Sequence, residues 1–124
     1  MPRILIVEDE PNVRGNLMEI LQLMNVDVRG AADGDEGLSV AREFLPDLLL
    51  CDVRMPHADG FKLLKELRND PKIQHIPVIL LTAHTDFDVR EKGLQYGANE
   101  FLTKPIAVDD LINSVNRYLS DVVL

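Results

Sequence analysis

The chain has 124 residues, 46% of them hydrophobic and 27% charged, enough for one compact domain and too apolar for a disordered or collagen-like chain. Thirteen Lys and Arg against 21 Asp and Glu leave a formal net charge of −8, which argues against non-specific binding of nucleic acid or an anionic membrane surface. The one cysteine, Cys51, excludes an internal disulfide and a cysteine zinc cluster.

Two residue periods alternate along the chain. Ile4-Leu5-Ile6-Val7 is a short branched apolar run, as expected of a strand covered on both faces. Val13, Leu17, Ile20, Leu21 and Met24 then recur every three or four residues and predict a helix, with Pro11 suited to its first turn. Val26-Asp27-Val28 reads as a second strand, Ala32 to Asp35 as a turn, and Leu38, Ala41, Phe44 and Leu45 as the apolar stripe of a second helix. Asp47 to Asp52 is a third strand, followed by a helix starting near Asp59 and carrying Phe61, Leu64 and Leu67. Ile76 to Thr82 is a fourth strand, with Pro77 tolerable at its start. Thr85 or Asp86 is a candidate cap for the next helix, which stops near Tyr96-Gly97. Glu100 to Thr103 makes a short fifth strand, and Val108, Leu111, Ile112, Val115 and Leu119 stripe a last helix. Strand and helix alternating in this way imply an α/β domain with a parallel sheet between two helical layers.

Ligands of such sheets gather beyond the carboxyl ends of the strands. The first strand ends in Glu8-Asp9-Glu10, the third in Asp52, the fourth in Thr82 and the fifth in Lys104-Pro105. A charged strand end is by itself most often a solvated residue. Glu8, Asp9 and Asp52 together are a different matter, because crowded carboxylates repel one another unless a cation sits among them. Oxygen donors without His or Cys suit Mg²⁺, or Mn²⁺, better than zinc. Lys104 adds a positive charge and Thr82 a neutral hydroxyl, so the rim describes a pocket for a phosphoryl group.

These residues resemble the receiver domain of two-component response regulators along essentially the whole chain, 1–124. The matching pieces are Ile4 to Glu10, Asp52-Val53-Arg54-Met55-Pro56 with Gly60, Leu81-Thr82-Ala83, and Phe101-Leu102-Thr103-Lys104-Pro105. The resemblance implies a doubly wound, flavodoxin-like sheet of five parallel strands in the order 2-1-3-4-5, flanked by five helices. It implies that Asp52 accepts a phosphoryl group from a sensor histidine kinase or a phosphotransfer protein. Asp9, Asp52, the backbone carbonyl of Arg54 and, through water, Glu8 would hold Mg²⁺, with Mn²⁺ able to substitute. Glu8 stands where many members have aspartate. Lys104 and Thr82 would hold phosphoryl oxygens, Thr82 and Phe101 would form the switch, and the Lys104–Pro105 peptide would be cis. Phe101, in place of the tyrosine of some members, has no hydroxyl to bond in either state, and an aromatic on a strand is otherwise core.

Output would pass through the face of helix four, strand five and helix five, with Asp86, Arg90, Gln95 and Arg117, to an effector domain, a partner or a second copy on phosphorylation. Arg54 and His84 would border the path of hydrolytic water. His57 and His75 read as solvated loop residues, and Cys51 as core filling. An aspartyl-nucleophile phosphatase would carry its nucleophile after the first strand, and a nucleotide or flavin binder a glycine-rich loop there; this chain has Glu8-Asp9-Glu10 instead. The domain is expected to act as a switch module rather than an enzyme on a separate substrate. No basic segment opening into an apolar core begins the chain and its apolar runs are short, so a cytoplasmic protein without membrane contact is expected. Val122, Val123 and Leu124 prolong the last apolar stripe, as expected either where an amino-terminal domain leads into a longer regulator or where the last turn folds against the first helix.

Overall fold

The computed structural model describes residues 1–54, 59–83 and 87–119. Strands β1 (Arg3–Val7), β2 (Asp27–Ala31), β3 (Leu48–Asp52), β4 (Val78–Thr82) and β5 (Glu100–Thr103) alternate with helices α1 (Pro11–Gln22), α2 (Gly34–Phe44), α3 (Gly60–Arg68), α4 (Phe87–Gln95) and α5 (Val108–Tyr118). All strand pairs are parallel, in the order β2-β1-β3-β4-β5.

Alternation along the strands sorts the apolar runs into two cores. Leu5, Val7, Leu49, Cys51, Val78 and Leu80 face the layer that contains α2, α3 and α4, where Leu38, Leu63, Leu64 and Leu67 meet them. Ile4, Ile6, Leu48, Leu50, Ile79 and Leu81 face α1 and α5, against Leu17, Leu21, Leu111 and Val115. A strand sandwiched in this way must be apolar at every position, which is why β1, β3 and β4 read as unbroken runs.

The structure corrects three details of the elements. β2 runs on to Ala31, because parallel pairing with all of β1 matches Arg3 to Asp27 and Val7 to Ala31. Its outer residues Asp27 and Arg29 are exposed, as edge strands tend to be. Leu45 is not core: it caps α2 in the left-handed region, at φ 52° and ψ 63°, and is 43% exposed. Pro46 follows it and disfavours helical backbone at the preceding residue, so α2 has to end there. The fourth strand starts at Val78, with the Pro77 carbonyl still accepting from Leu49 N at 3.0 Å.

Arg68 closes the end of the sheet opposite the polar rim. Its guanidinium donates to the carbonyls of Gln74 (2.8 Å), Ile76 (2.6 Å) and Gly97 (2.7 Å from Nη2), and to Asn99 Oδ1 at 3.0 Å. Asn99 Oδ1 in turn accepts from Val78 N at 2.9 Å, so one side chain ties the end of α3 to the start of β4 and to the α4–β5 turn. That turn needs Gly97, whose φ is +95°. Replacing Arg68 by Met keeps the stem and removes every donor. A loss of about 2–4 kcal/mol in urea unfolding is expected, and an unchanged midpoint would show the clasp to be idle.

Candidate functional site

The sheet changes direction of winding between β1 and β3, and that is where an open α/β sheet leaves a crevice at its carboxyl edge. Glu8 follows β1 on one side of the crevice and Asp52 ends β3 on the other. Glu8 keeps the strand pairing for one more step, its N–H donating to the Ala31 carbonyl at 3.0 Å. Asp9 follows, half-buried. Glu10 is occupied elsewhere: it caps α1 by accepting from Asn12 N at 3.2 Å and Val13 N at 2.8 Å.

The Asp52 side chain stays within reach of its own loop, Oδ1 accepting from Arg54 N at 3.3 Å. Val53 N donates to the Leu81 carbonyl at 3.2 Å, and Gly60 N to the Val53 carbonyl at 2.9 Å. Gly60 has to be glycine here, because a Cβ on it would sit 2.6 Å from the Asp52 carbonyl oxygen. The start of α3 thereby presses against the backbone of the acidic turn. Cys51, behind it, is fully buried; desolvation first, then the neighbouring carboxylates, pushes its thiol pKa far up, and it packs as an apolar residue.

Lys104 leaves β5 and reaches across the rim, with a cis peptide bond to Pro105. Its Nζ lies 2.8 Å from Glu8 Oε1 and 2.8 Å from Asp52 Oδ2. One carboxylate oxygen from each of Glu8, Asp9 and Asp52 lies within 4.8 Å of the others. Three carboxylates against one ammonium leave a formal −2 in a site where Glu8 is 1% and Asp52 6% exposed. Burial, then the neighbouring Asp52 carboxylate, pushes Glu8 up to about 7, although Lys104 opposes the shift. Lys104 itself is raised: burial works against its charge, but hydrogen bonds to Asp52 and Glu8 outweigh it.

Two buried polar atoms, Glu8 Oε2 and Thr82 Oγ1, have no hydrogen-bond partner among the described residues. Oxygen-only donors, excess negative charge and an unpartnered buried carboxylate oxygen fit a hard divalent cation. The Thr82 hydroxyl is a donor at the end of β4, beside Lys104, whose N–H donates to the Thr82 carbonyl at 2.8 Å.

Alternation puts Phe101 on the same face as Thr82, with Phe101 paired to Leu80 and Thr82 to Thr103. The Phe101 ring packs beneath α4, where Gly93 admits it: a Cβ there would lie 2.9 Å from two ring carbons. Arg90 on α4 donates to Thr103 Oγ1, linking helix and edge strand. Met55, Pro56, His57, His84, Thr85, Asp86 and residues 120–124 lie outside the described residues. A feature the sequence reading missed is the Arg14 guanidinium, which donates to the Glu8 carbonyl at 2.7 Å. Its only signal was a cation one helical turn past the acidic triplet.

Residues 4–116 match the family model for the response regulator receiver domain, and the chain belongs to that family. It is 46% identical over 112 residues to the response regulator PleD of Caulobacter vibrioides, covering 89% of this chain and 24% of PleD. With the DNA-binding dual master transcriptional regulator RpaA of a Synechocystis species it shares 36% identity, over 96% of this chain and 49% of RpaA. The chain thus spans half or less of these two relatives, whereas it covers 99% of the Pseudomonas aeruginosa protein PilH at 34% identity. Among solved structures, the Vibrio cholerae chemotaxis protein CheY4 superposes with a TM-score of 0.90 at 31% identity, covering 96% of this chain and 99% of that one. The domain is a receiver of two-component signalling, a switch module by class. Among the described residues no helix is long and apolar enough to cross a membrane.

The raised Glu8 has a consequence for stability. Its carboxyl is harder to ionise folded than unfolded, so its contribution is complete below about pH 4.5 and is lost as pH rises to about 7. In urea unfolding without divalent ions, the parent is expected to lose about 1–3 kcal/mol relative to Glu8→Gln between pH 5 and pH 8. A parent-to-variant difference that does not change with pH would contradict this.

Proposed function

We propose that Asp52 is the phosphoryl acceptor of this receiver and that its donor is a phosphohistidine on a sensor histidine kinase or a phosphotransfer protein. The observation that carries the reading is Lys104 Nζ held 2.8 Å from Asp52 Oδ2 inside a cluster of three acids at the switch point of the sheet. An Asp52 Oδ atom attacks phosphorus as the phosphorus–nitrogen bond breaks, and the imidazole nitrogen keeps the electron pair. A carboxylate is a weak nucleophile, so the site works by alignment and charge stabilisation rather than by activating it.

Glu8, Asp9, Asp52 and the Arg54 carbonyl are the proposed holders of Mg²⁺, with Mn²⁺ able to substitute. Bound there, the cation offsets the repulsion between the acceptor carboxylate and phosphoryl oxygens. Lys104 exchanges its bond to Asp52 for one to a phosphoryl oxygen, and the Thr82 hydroxyl donates to another. Arg54 and His84, two residues along the chain from Asp52 and Thr82 respectively, are the proposed determinants of the lifetime of the acyl phosphate. The domain thus catalyses only its own phosphorylation and dephosphorylation.

Output follows from the shared face of Thr82 and Phe101. When the hydroxyl turns to the phosphoryl group, the Phe101 ring takes up the space released, and α4 with its Arg90–Thr103 link adjusts. The surface of α4, β5 and α5 then reports the state to an effector domain or partner in the cytoplasm.

Incubation with acetyl phosphate and Mg²⁺ is expected to add one phosphoryl group, seen by intact-mass spectrometry, and Asp52→Asn is expected to abolish it. Labelling that persists in the variant would remove Asp52 from its role. Thr82→Ala is expected to phosphorylate within about threefold of the parent rate, because it removes one neutral hydrogen bond. The same variant should lose the phosphorylation-dependent NMR shifts of α4 and β5. Full shifts there would disconnect Thr82 from the output.

A further inference from the structure

Three bonds converge on the loop between β1 and α1, and they are of unequal strength. Glu8 N is tied to β2 through the Ala31 carbonyl at 3.0 Å, and Arg14 N to the Glu10 carbonyl at 3.0 Å. The third is charge-assisted: Arg14 Nη1 donates to the Glu8 carbonyl at 2.7 Å, six residues back along the chain. Gly30 of β2 lies beside the Arg14 stem and beside Met18, whose Sδ would be 2.9 Å from a Cβ there. A Cβ on Gly30 would lie 3.0 Å from Arg14 Cδ, so the glycine leaves the lane along which the half-buried stem runs to the loop. The bond grips the peptide between the two residues that supply carboxylates from this side of the crevice, Glu8 and Asp9.

We propose that Arg14 is a positioning residue of the cation site, holding the Glu8–Asp9 peptide so that both carboxylates stand against Asp52. This rests on the reading of Glu8, Asp9 and Asp52 as cation ligands. Position and charge act in opposite directions here, which makes the role testable. As a bare positive charge near the acids, Arg14 repels a cation, so charge alone means tighter binding once it is removed. As a clamp it preorganises ligands, and its removal weakens binding, on the scale of about tenfold or more seen for groups that orient metal ligands.

The test is a calorimetric titration of the whole chain with Mg²⁺ alone, with no phosphodonor present. Arg14→Met keeps the length of the stem and loses charge and donors; it is expected to bind Mg²⁺ about tenfold more weakly. Arg14→Lys restores one donor and the charge and is expected to recover most of that loss. A merely structural role would not produce this order, provided the far-ultraviolet circular dichroism of the variants matches the parent. Should Arg14→Met not fold, Arg14→Gln, also uncharged and too short to reach, is expected to weaken binding in the same direction. Binding by the neutral variants as tight as the parent's, or tighter, would overturn the positioning role and leave the cation site standing. No saturable Mg²⁺ binding by the parent would overturn both.

Discussion

One ammonium group between two buried carboxylates organises this domain's functional end. Lys104 Nζ is 2.8 Å from both Glu8 and Asp52, in a cluster of three acids completed by Asp9. Its single charge against three carboxylates leaves those four groups formally negative by two. Burial aggravates the imbalance, as the rise of Glu8 to about 7 records. Oxygen donors in this condition suit a hard cation. Stability at the rim is given up so that ligands can supply it.

The rest of the fold is arranged so that this imbalance stays local. β1, β3 and β4 are buried on both faces, and their backbones have little freedom to relax toward the acids. Arg68 closes the far end of the sheet through backbone carbonyls and the Asn99 amide oxygen, with no carboxylate contact among the described residues. Gly60 lets α3 press on the Asp52 turn, and Gly93 lets α4 lie directly over Phe101. The acidic turn at Asp52 therefore stands on stiff strands, with a closely fitted helix beside Phe101.

The layers were legible because their cause is periodic: strands buried twice are wholly apolar, and helices buried once are striped. The strand order, by contrast, came from the family resemblance and not from the pattern. The rim was legible because only four strand ends carry chemistry, at Glu8-Asp9, Asp52, Thr82 and Lys104. What escaped the sequence were features that depend on three-dimensional closeness or on a local contest. Leu45 fits the α2 stripe, yet Pro46 turns it outward. Glu10 ends the same acidic triplet as Glu8 and Asp9, yet the first turn of α1 claims it. Arg14 looks like any helix cation until its guanidinium is seen to reach back to the Glu8 carbonyl, its stem running close beside Gly30.

The central claim is that Asp52 carries a phosphoryl group stabilised by a cation among the acids and by Lys104. Beryllofluoride, a mimic of the acyl phosphate, tests it directly by fluorine NMR. With Mg²⁺ the account expects bound-fluoride resonances of a one-to-one adduct, lost in Asp52→Asn and weakened in Lys104→Met. An adduct that forms equally well without Mg²⁺, or that survives the loss of the Asp52 carboxylate, would contradict it.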